Sequence, residues 1–314
     1  QRTLQCAGQR FDFETTRHDM PDKLRLIIVS GLSGSGKTVA LHVLEDLGYY
    51  CIDNLPAALL KAAVEEVRSG ANSMNLLAVG VDARTRTEDL ESLPDVLREL
   101  SSQDVVTEII FLHAADDILR QRYGESRRRH PLAVSGSQLQ DAIESERAIL
   151  AEIHNSADLI VDTSHSSVYE LADVIRQRVD RRKTETLSVL IQSFGFKYGI
   201  PRDADFVFDL RSLPNPYWTV KLRGLNGLDQ EVADYLDAQP KFNEMFDDIR
   251  DFLARWIPHY RDAHRGYMTV AIGCTGGQHR SVRMTERLVG SLRDKHDPVL
   301  VKHNSLPGHR RSPD

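Results

Sequence analysis

The sequence predicts an α/β protein with two parallel-sheet domains. Up to Val179, short apolar segments alternate with segments of helical periodicity, and in each half one apolar segment runs into a glycine-rich turn that opens a helix. Such alternation is typical of a parallel sheet with helices on both faces. The charged segment Asp180–Thr186 interrupts the alternation. We therefore predict an N-terminal extension over 1–22, a first domain over 23–183 and a second over 184–314.

The first predicted strand is Leu24–Ser30, because a short apolar run with branched residues is typical of a buried parallel strand. A helix follows over Lys37–Leu47, where apolar residues recur at helical spacing and Gly48 marks the end. The same criteria give the remaining elements of the first domain: strands within Tyr49–Pro56, Asn75–Ala83, Val105–Leu112 and Ala157–Ser164, and helices at Ala57–Val67, Leu90–Leu100, Asp116–Tyr123, Ser137–Ile153 and Val168–Val179.

The second half is also predicted to be α/β. A strand is expected within Leu187–Gly195, and a proline-rich stretch follows around Pro214 and Pro216. Helices are expected at Phe242–Ile257 and Ser281–Leu292, with the strand Met268–Gly273 between them.

Composition is that of an ordinary globular protein, with 41% hydrophobic and 27% charged residues among 314. The net charge of -6 means that any nucleic-acid binding needs local basic patches. Three separated cysteines, Cys6, Cys51 and Cys274, argue for a reducing compartment. Because no apolar run approaches the roughly 18–20 residues that span a bilayer, we expect a soluble cytoplasmic protein without a membrane partner.

The first glycine-rich turn, Gly31–Thr38, matches the pattern G-x-x-x-x-G-K-S/T in full; its residues are Gly31, Leu32, Ser33, Gly34, Ser35, Gly36, Lys37 and Thr38. Glycines let backbone amides surround a phosphate, Lys37 reaches the β- and γ-phosphates, and the Thr38 hydroxyl binds the Mg²⁺ of the nucleotide. A strand before the turn and a helix after it favour a nucleoside triphosphate site over a chance match.

The acid that would face Mg²⁺ ends an apolar strand in proteins of this kind. Asp82 does so, and Asp53 and Asp162 also end strands, although each of them could equally cap a turn or helix. Another strand ends at His113, which cannot replace a carboxylate on Mg²⁺.

A basic cluster follows that strand, formed by Arg120, Arg122 and Arg127–Arg129. It could clamp phosphates, contact RNA or form a solvated helix face.

The second glycine-rich turn consists of Cys274, Thr275, Gly276, Gly277, Gln278, His279, Arg280 and Ser281. It presents amides at a helix N-terminus, where Arg280 and His279 could add donors to a phosphate. The spacing C-x5-R-S also meets the minimal signature of cysteine-dependent phosphatases, with Asp203, Asp205 or Asp209 as possible general acids. A tight turn with a buried cysteine is the third possibility.

Four segments resemble the RapZ/YvcJ family of nucleotide-binding proteins: GLSGSGKTVALHVLEDLGYYCIDNLP, ADLIVDTS, SFGFKYGIPRDADFVFDLRSLPNPYW and VAIGCTGGQHRSV. The resemblance spans Asp22 to Val301. It implies a kinase-like N-terminal domain that binds ATP and GTP with Mg²⁺ and hydrolyses them weakly. In enteric bacteria the family member is an RNA-binding adapter that presents a small RNA to an endoribonuclease and senses glucosamine-6-phosphate through its C-terminal half.

The resemblance also assigns roles to residues of this chain. It implies an ATP site at Gly31–Thr38 and a guanine-nucleotide motif at Asp82, Ala83, Arg84 and Thr85. It implies a sugar-phosphate pocket formed by Lys197, Arg211 and the second turn. The tail, written VKHNSLPGHRRSPD, offers Lys302, Arg310 and Arg311 as RNA-contacting cations. We also expect a homo-oligomer.

Two positions depart from the enteric relative, which has an acid where this chain has His113 and a histidine where it has Tyr217. Two other classes of protein remain open from the motifs: a small-molecule kinase fused to a phosphosugar-acting domain, and a cysteine phosphatase. The kinase would turn over rapidly with its acceptor, whereas the adapter would hydrolyse nucleotide slowly and leave its phosphate ligand unchanged.

Overall fold

The computed structural model describes residues 23–69, 75–84, 87–126, 129–133, 138–180, 187–263 and 265–306. The predicted extension 1–22, Thr85, Arg127, Arg128, Arg310 and Arg311 lie outside these ranges. Among the helices described, none has both the length and the apolar character that crossing a membrane requires.

The first domain holds a five-stranded parallel sheet in the order β2-β3-β1-β4-β5. Its strands are β1 (Leu24–Gly31), β2 (Tyr50–Ile52), β3 (Leu76–Gly80), β4 (Val105–His113) and β5 (Leu159–Asp162). The helices are α1 (Lys37–Asp46), α2 (Leu60–Ser69), α3 (Thr87–Ser101), α4 (Asp116–Ser126), α5 (Leu139–Ile149), α6 (Ala151–Asn155) and α7 (Val168–Asp180). The chain crosses from β3 over β1 to β4, so the carboxyl end of β1 lies where the strand order reverses, which is where ligands bind in such sheets.

The second domain holds a four-stranded parallel sheet in the order β7-β8-β6-β9. Its strands are β6 (Ser188–Gly195), β7 (Phe206–Asp209), β8 (Tyr267–Cys274) and β9 (Val299–His303), and its helices are α8 (Gln230–Asp237), α9 (Pro240–Asp262) and α10 (Arg280–Arg293). The predicted fold class, two α/β domains with a strand–turn–helix in each, is confirmed.

One prediction of local structure is wrong. The helix predicted over Ser137–Ile153 is divided into α5 and α6 at Leu150, because Ile143 packs with Leu32 and Leu119 whereas Leu150 packs in another core cluster. The segment from Val301 that we describe as the tail begins within β9, so Lys302 is part of the sheet and half-buried. The short strands β7 and β9 and the helix α8 are additional elements that the sequence patterns do not predict.

The core of the first domain lies on both faces of its sheet. Along β1, Leu26 and Ile28 pack into one cluster and Ile27 and Val29 into the other, which is the alternation of a strand buried on both sides. In the second sheet, Val189 and Ile191 of β6 pack into an apolar cluster with α8, α9 and α10.

The interface between the two domains is polar and buried. Arg178 of α7 donates to Ser188 O (2.9 Å) and Thr269 Oγ1 (2.7 Å) of the second domain. Glu108 of β4 accepts from Arg25 and from the Tyr267 hydroxyl, each at 3.0 Å. The two domains are therefore joined by hydrogen bonds whose donors and acceptors are removed from water.

Candidate phosphate-binding sites

The loop Gly31–Thr38 connects β1 to α1 in a conformation that only glycine accommodates at its first position. Gly31 has φ 143°, and a Cβ there would lie 2.3 Å from the Leu112 carbonyl oxygen of β4. Gly34 and Gly36 also have positive φ, 90° and 109°. Lys37 folds back over the loop, and its Nζ donates to Gly31 O at 3.0 Å. The three positive-φ glycines and the folded-back lysine are compatible with the phosphate cradle that the sequence predicts.

The loop is braced from the end of β5 and from α4. The Thr163 hydroxyl lies 3.0 Å from Ser35 O, and Arg122 donates to Gly34 O at 3.0 Å and to Thr163 O at 2.6 Å. Burial lowers the pKa of Arg122 from its ordinary value. Arg122 is thus fixed to the loop, whereas Arg120 and Arg129 of the predicted basic cluster are exposed.

Asp82 is the predicted acid whose charge acts most strongly on Lys37. Burial lowers the pKa of Lys37, and the charges of Asp82, Glu146 and Asp53 partly oppose that shift. Arg84 donates to Asp82 through its backbone amide (3.0 Å) and its guanidinium (3.0 Å). Burial would raise the pKa of Asp82, but these hydrogen bonds outweigh it and the pKa is lowered, which favours the carboxylate.

The other candidates lie differently. Asp53 follows β2 and approaches Gly80, where a Cβ would lie 2.5 Å from its Oδ1. Asp162 accepts from the Ser164 amide at 2.9 Å and so stabilises a turn. His113, at the end of β4, is buried, and burial lowers its pKa. Asp82, whose charge acts on Lys37 together with that of Asp53, therefore suits Mg²⁺ better than Asp162 does.

The donor set fits a nucleotide-bound Mg²⁺. Thr38 is exposed beside the loop, and Asp82 is ionised close to Lys37. Within the described ranges no three His, Cys, Asp or Glu side chains are grouped so as to hold a metal ion. Mg²⁺ is usually held by one or two protein ligands together with phosphates and water, and Thr38 and Asp82 are ligands of that kind.

Glu146 is a site residue that sequence reasoning missed. It lies on α5, is fully buried, and accepts from the Ser33 amide at 2.8 Å and the Ser33 hydroxyl at 2.6 Å. Its separation from Ser33 by 113 residues left no local signal for this contact.

The second turn lies at the carboxyl ends of β6, β7 and β8. Lys197 N donates to Thr275 O at 3.3 Å, and Arg280 donates to Arg211 O at 3.0 Å. The structure therefore brings the described residues of the predicted sugar-phosphate pocket to one edge of the second sheet. Lys197 is exposed, while the Arg211 guanidinium pairs with Asp209 at 2.7 Å and lies 3.9 Å above the Phe196 ring.

The side chains of Arg280 and His279 mostly contact backbone carbonyls of the protein itself. Arg280 is buried, and its Nη1 donates to the carbonyls of Leu210 (3.3 Å), Arg211 (3.0 Å) and Leu213 (2.8 Å). His279 contacts Leu222 O at 3.2 Å, and burial lowers its pKa. Side-chain donors for a ligand at this edge therefore come more readily from Lys197 and Arg211.

Cys274 is only 2% exposed and belongs to the core of the second domain. Its sulfur accepts from the Gly277 amide and contacts the Ser281 hydroxyl, both at 3.2 Å. Asp205 accepts from Thr269 N near the other end of β8 at 2.7 Å, and Asp203 from Gln192 at 2.7 Å. A buried thiol and an arginine bound to carbonyls argue against covalent phosphatase chemistry at this turn.

An exposed group of aromatic and basic residues flanks the second turn. Trp218 is 76% exposed, Tyr217 is 45% exposed, and the Arg223 guanidinium lies 4.9 Å above the Tyr217 ring. The same segment carries the exposed Lys221, and its Leu222 carbonyl contacts His279. Aromatic rings interleaved with cations suit stacked bases and phosphates.

Comparison with known proteins gives matches over both domains. A family model described as the RapZ-like N-terminal domain matches residues 24–183, and one described as the RapZ C-terminal domain matches residues 187–307. A nucleotide-binding protein of Thioalkalivibrio sulfidiphilus is 52% identical over 90% of this chain and 100% of its own length. One from Hahella chejuensis is 48% identical over 90% of this chain and 99% of its own. Among solved structures, a sugar kinase from Janibacter is 18% identical with a TM-score of 0.34, covering 50% of this chain and 95% of that chain.

Proposed function

The chain belongs to the RapZ family, and from that membership and the site geometry we propose that it binds ATP and GTP on the loop Gly31–Thr38. The observation that carries this proposal is the position of Lys37, whose Nζ donates back to Gly31 O at 3.0 Å and on which the charge of Asp82 acts. The printed names of its relatives, nucleotide-binding protein, support it.

We assign a separate role in nucleotide binding to each group of the site. Loop amides and Lys37 bind the phosphates, Thr38 and Asp82 hold Mg²⁺, and Arg84 keeps the Asp82 carboxylate ionised and oriented. When bound, Mg²⁺ neutralises phosphate charge and polarises the terminal phosphoryl group. Hydrolysis is proposed to be weak and the main role regulatory.

Asp82 and Arg84 belong to the predicted guanine-nucleotide motif, yet both act electrostatically on Lys37. We therefore propose one site for both nucleotides. Isothermal titration should give one nucleotide per chain, with GTP displacing ATP competitively. Asp82→Asn should weaken Mg²⁺-dependent binding about tenfold or more, while Asp46→Asn, an exposed change on α1, should not. Two independent nucleotide sites per chain would refute this arrangement.

We further propose that the carboxyl edge of the second sheet senses glucosamine-6-phosphate. The exposed Lys197 and Arg211 support this, since their backbones bind Thr275 and Arg280 of the turn. Lys197→Ala and Arg211→Ala should each weaken binding, whereas Lys241→Ala on α9 should not. Arg280→Ala is a poorer probe, because it would leave three loop carbonyls without their donor. Phosphate release that depends on Cys274 would instead support the phosphatase alternative.

RNA binding is proposed for the aromatic and basic residues Tyr217, Trp218, Lys221 and Arg223, with Arg310 and Arg311 as tail contacts. The adapter role, with a small RNA and an endoribonuclease as partners, and a homo-oligomeric assembly rest on family resemblance. Affinity for a structured RNA should fall with salt, with a log–log slope of about -0.7 to -0.9 per phosphate contacted.

Trp218→Ala should weaken RNA binding by about 1–3 kcal/mol through lost stacking. For the tail, truncation after Leu306 preserves β9, whereas truncation after Val301 would remove Lys302 and His303 from the sheet. Unchanged RNA affinity in Trp218→Ala and in the Leu306 truncation would exclude these contacts.

A further inference from the structure

The phosphate-binding loop already holds an anion that belongs to the protein. Both oxygens of the Glu146 carboxylate are bound to Ser33, the third residue of the loop: Oε2 accepts from the amide at 2.8 Å and Oε1 from the hydroxyl at 2.6 Å. Glu146 is fully buried and Ser33 is 8% exposed. One amide of a loop built to bind phosphate is therefore committed to a carboxylate.

The third neighbour of that carboxylate is the imidazole of His130. His130 Nε2 lies 3.1 Å from Glu146 Oε2, and His130 Nδ1 accepts from the Leu132 amide at 3.2 Å. Because Nδ1 accepts from the Leu132 amide, Nε2 is the ring nitrogen that can donate to Glu146. Within the described part of the chain, His130 is the only basic side chain within 4.0 Å of the Glu146 carboxylate. No described Lys or Arg side chain therefore lies within 4.0 Å to neutralise the Glu146 charge.

That charge acts on the phosphate-binding group itself. Among the charges that raise the pKa of Lys37, Glu146 follows Asp82. A nucleotide would bring further negative charge to the same lysine and the same amides. Like charges in a poorly solvated site repel one another more strongly than in water.

We propose that Glu146 is a positioning residue that anchors Ser33 to α5 and, through its charge, lowers the affinity of the loop for nucleoside triphosphates. This inference rests on the proposed nucleotide binding. The helix α5 is in turn held to α4, because Arg147, next to Glu146 on α5, pairs with Asp116 of α4. The carboxylate holds Ser33 in place through two hydrogen bonds, and its charge opposes the binding of a triphosphate.

The test compares Glu146→Gln with Glu144→Gln. Glutamine keeps the shape and one acceptor oxygen but removes the charge, and Glu144 is an exposed acid on the same helix that pairs with Gln140. Titration of Mg²⁺-ATP and Mg²⁺-ADP should show Glu146→Gln binding ATP about tenfold more tightly than wild type. The gain should be smaller for ADP, and Glu144→Gln should bind as wild type does.

Unchanged or weaker ATP binding by a folded Glu146→Gln variant would overturn the inference and leave nucleotide binding standing. If that variant does not fold, the double variant Ser33→Ala, Glu146→Met removes the charge together with the hydroxyl bound to it, and it must show the same gain. No nucleotide binding in wild type and Glu144→Gln would remove the proposed function and this inference with it.

Discussion

At the scale of single residues, steric limits make the loop geometry specific. Gly31 needs glycine for two reasons, a positive φ and the approach of Leu112 O, whereas Gly48 has φ 90° and only open space within 4 Å of where a Cβ would lie. Gly48→Ala should therefore cost about 1–2 kcal/mol of unfolding free energy, for backbone strain alone. Gly31→Ala should cost clearly more, since the strand β4 must move. Urea denaturation of both variants checks this, and equal losses would contradict it.

The sequence predicts the site residues whose proposed role depends on a local pattern. Lys37, Thr38 and the glycines follow from a motif between a strand and a helix. Glu146 could not be predicted, because its contact with Ser33 depends on how α5 packs. The same limit applies to Arg280, whose residue type suggested a phosphate ligand although its Nη1 is bound to three carbonyls of a distant loop.

At the scale of elements, α7 links the phosphate loop to the second domain. Near its start, Leu171 packs so closely on Gly36 that a Cβ at Gly36 would lie 2.5 Å from Leu171 Cδ2. Near its end, Arg178 is 1% exposed and binds Ser188 and Thr269. Burial lowers the pKa of Arg178 to about 10, and the guanidinium remains charged at neutral pH.

Arg178→Lys should lower the unfolding free energy by about 1–3 kcal/mol, because one ammonium cannot replace both branches of the guanidinium fork. Arg176→Lys is the matched control, since Arg176 is on the same helix and forms a partly exposed pair with Asp173. Chemical denaturation measures both. A loss in Arg178→Lys no greater than in the control would show that the fork does not stabilise the domain interface.

The order of the helices and strands with clear apolar periodicity could be predicted, because that periodicity can be read from short stretches of sequence. β9 could not, since its polar residues Lys302 and His303 become strand only by pairing with β6. Likewise the helical periodicity of α5 and α6 is continuous in the sequence, and only the packing of Ile143 and Leu150 in different clusters separates the two helices.

At the scale of the whole molecule, the domain interface contains carboxyl groups that are unfavourable when ionised. Asp158 and Asp203 line a cavity of about 60 Å³ between the domains, together with Arg265 and Tyr267. Burial raises the pKa of both aspartates, while Arg265 acts against the shift at Asp158 and Lys302 at Asp203. The folded protein therefore binds these protons more tightly than the unfolded chain, whose aspartate pKa is about 3.9.

The stability that the protonated carboxyl groups of Asp158 and Asp203 contribute is greatest below the unfolded pKa of about 3.9. It is lost as pH rises through the raised pKa values of the folded protein. Asp158→Asn keeps an acceptor for Ile109 N, which Asp158 binds at 2.8 Å, and removes the charge. Relative to wild type, it should gain stability at pH 7 and lose that advantage near pH 4. Asp248→Asn, an exposed change on α9, should show no such trend. Unfolding curves at both pH values decide this, and a destabilised Asp158→Asn at pH 7 would contradict it.

The most direct test of the function is the equilibrium binding of Mg²⁺-ATP to wild type, Lys37→Ala and Lys61→Ala, measured by isothermal titration calorimetry. Lys37 supplies the cation built into the loop, whereas Lys61 pairs with Glu99 on the surface of the first domain. We predict that Lys37→Ala, with an unchanged circular dichroism spectrum, loses ATP and GTP binding alike, because the loop binds phosphates and not bases. Lys61→Ala should bind as wild type does. Undiminished ATP affinity in folded Lys37→Ala would contradict the assignment of the loop as the nucleotide site.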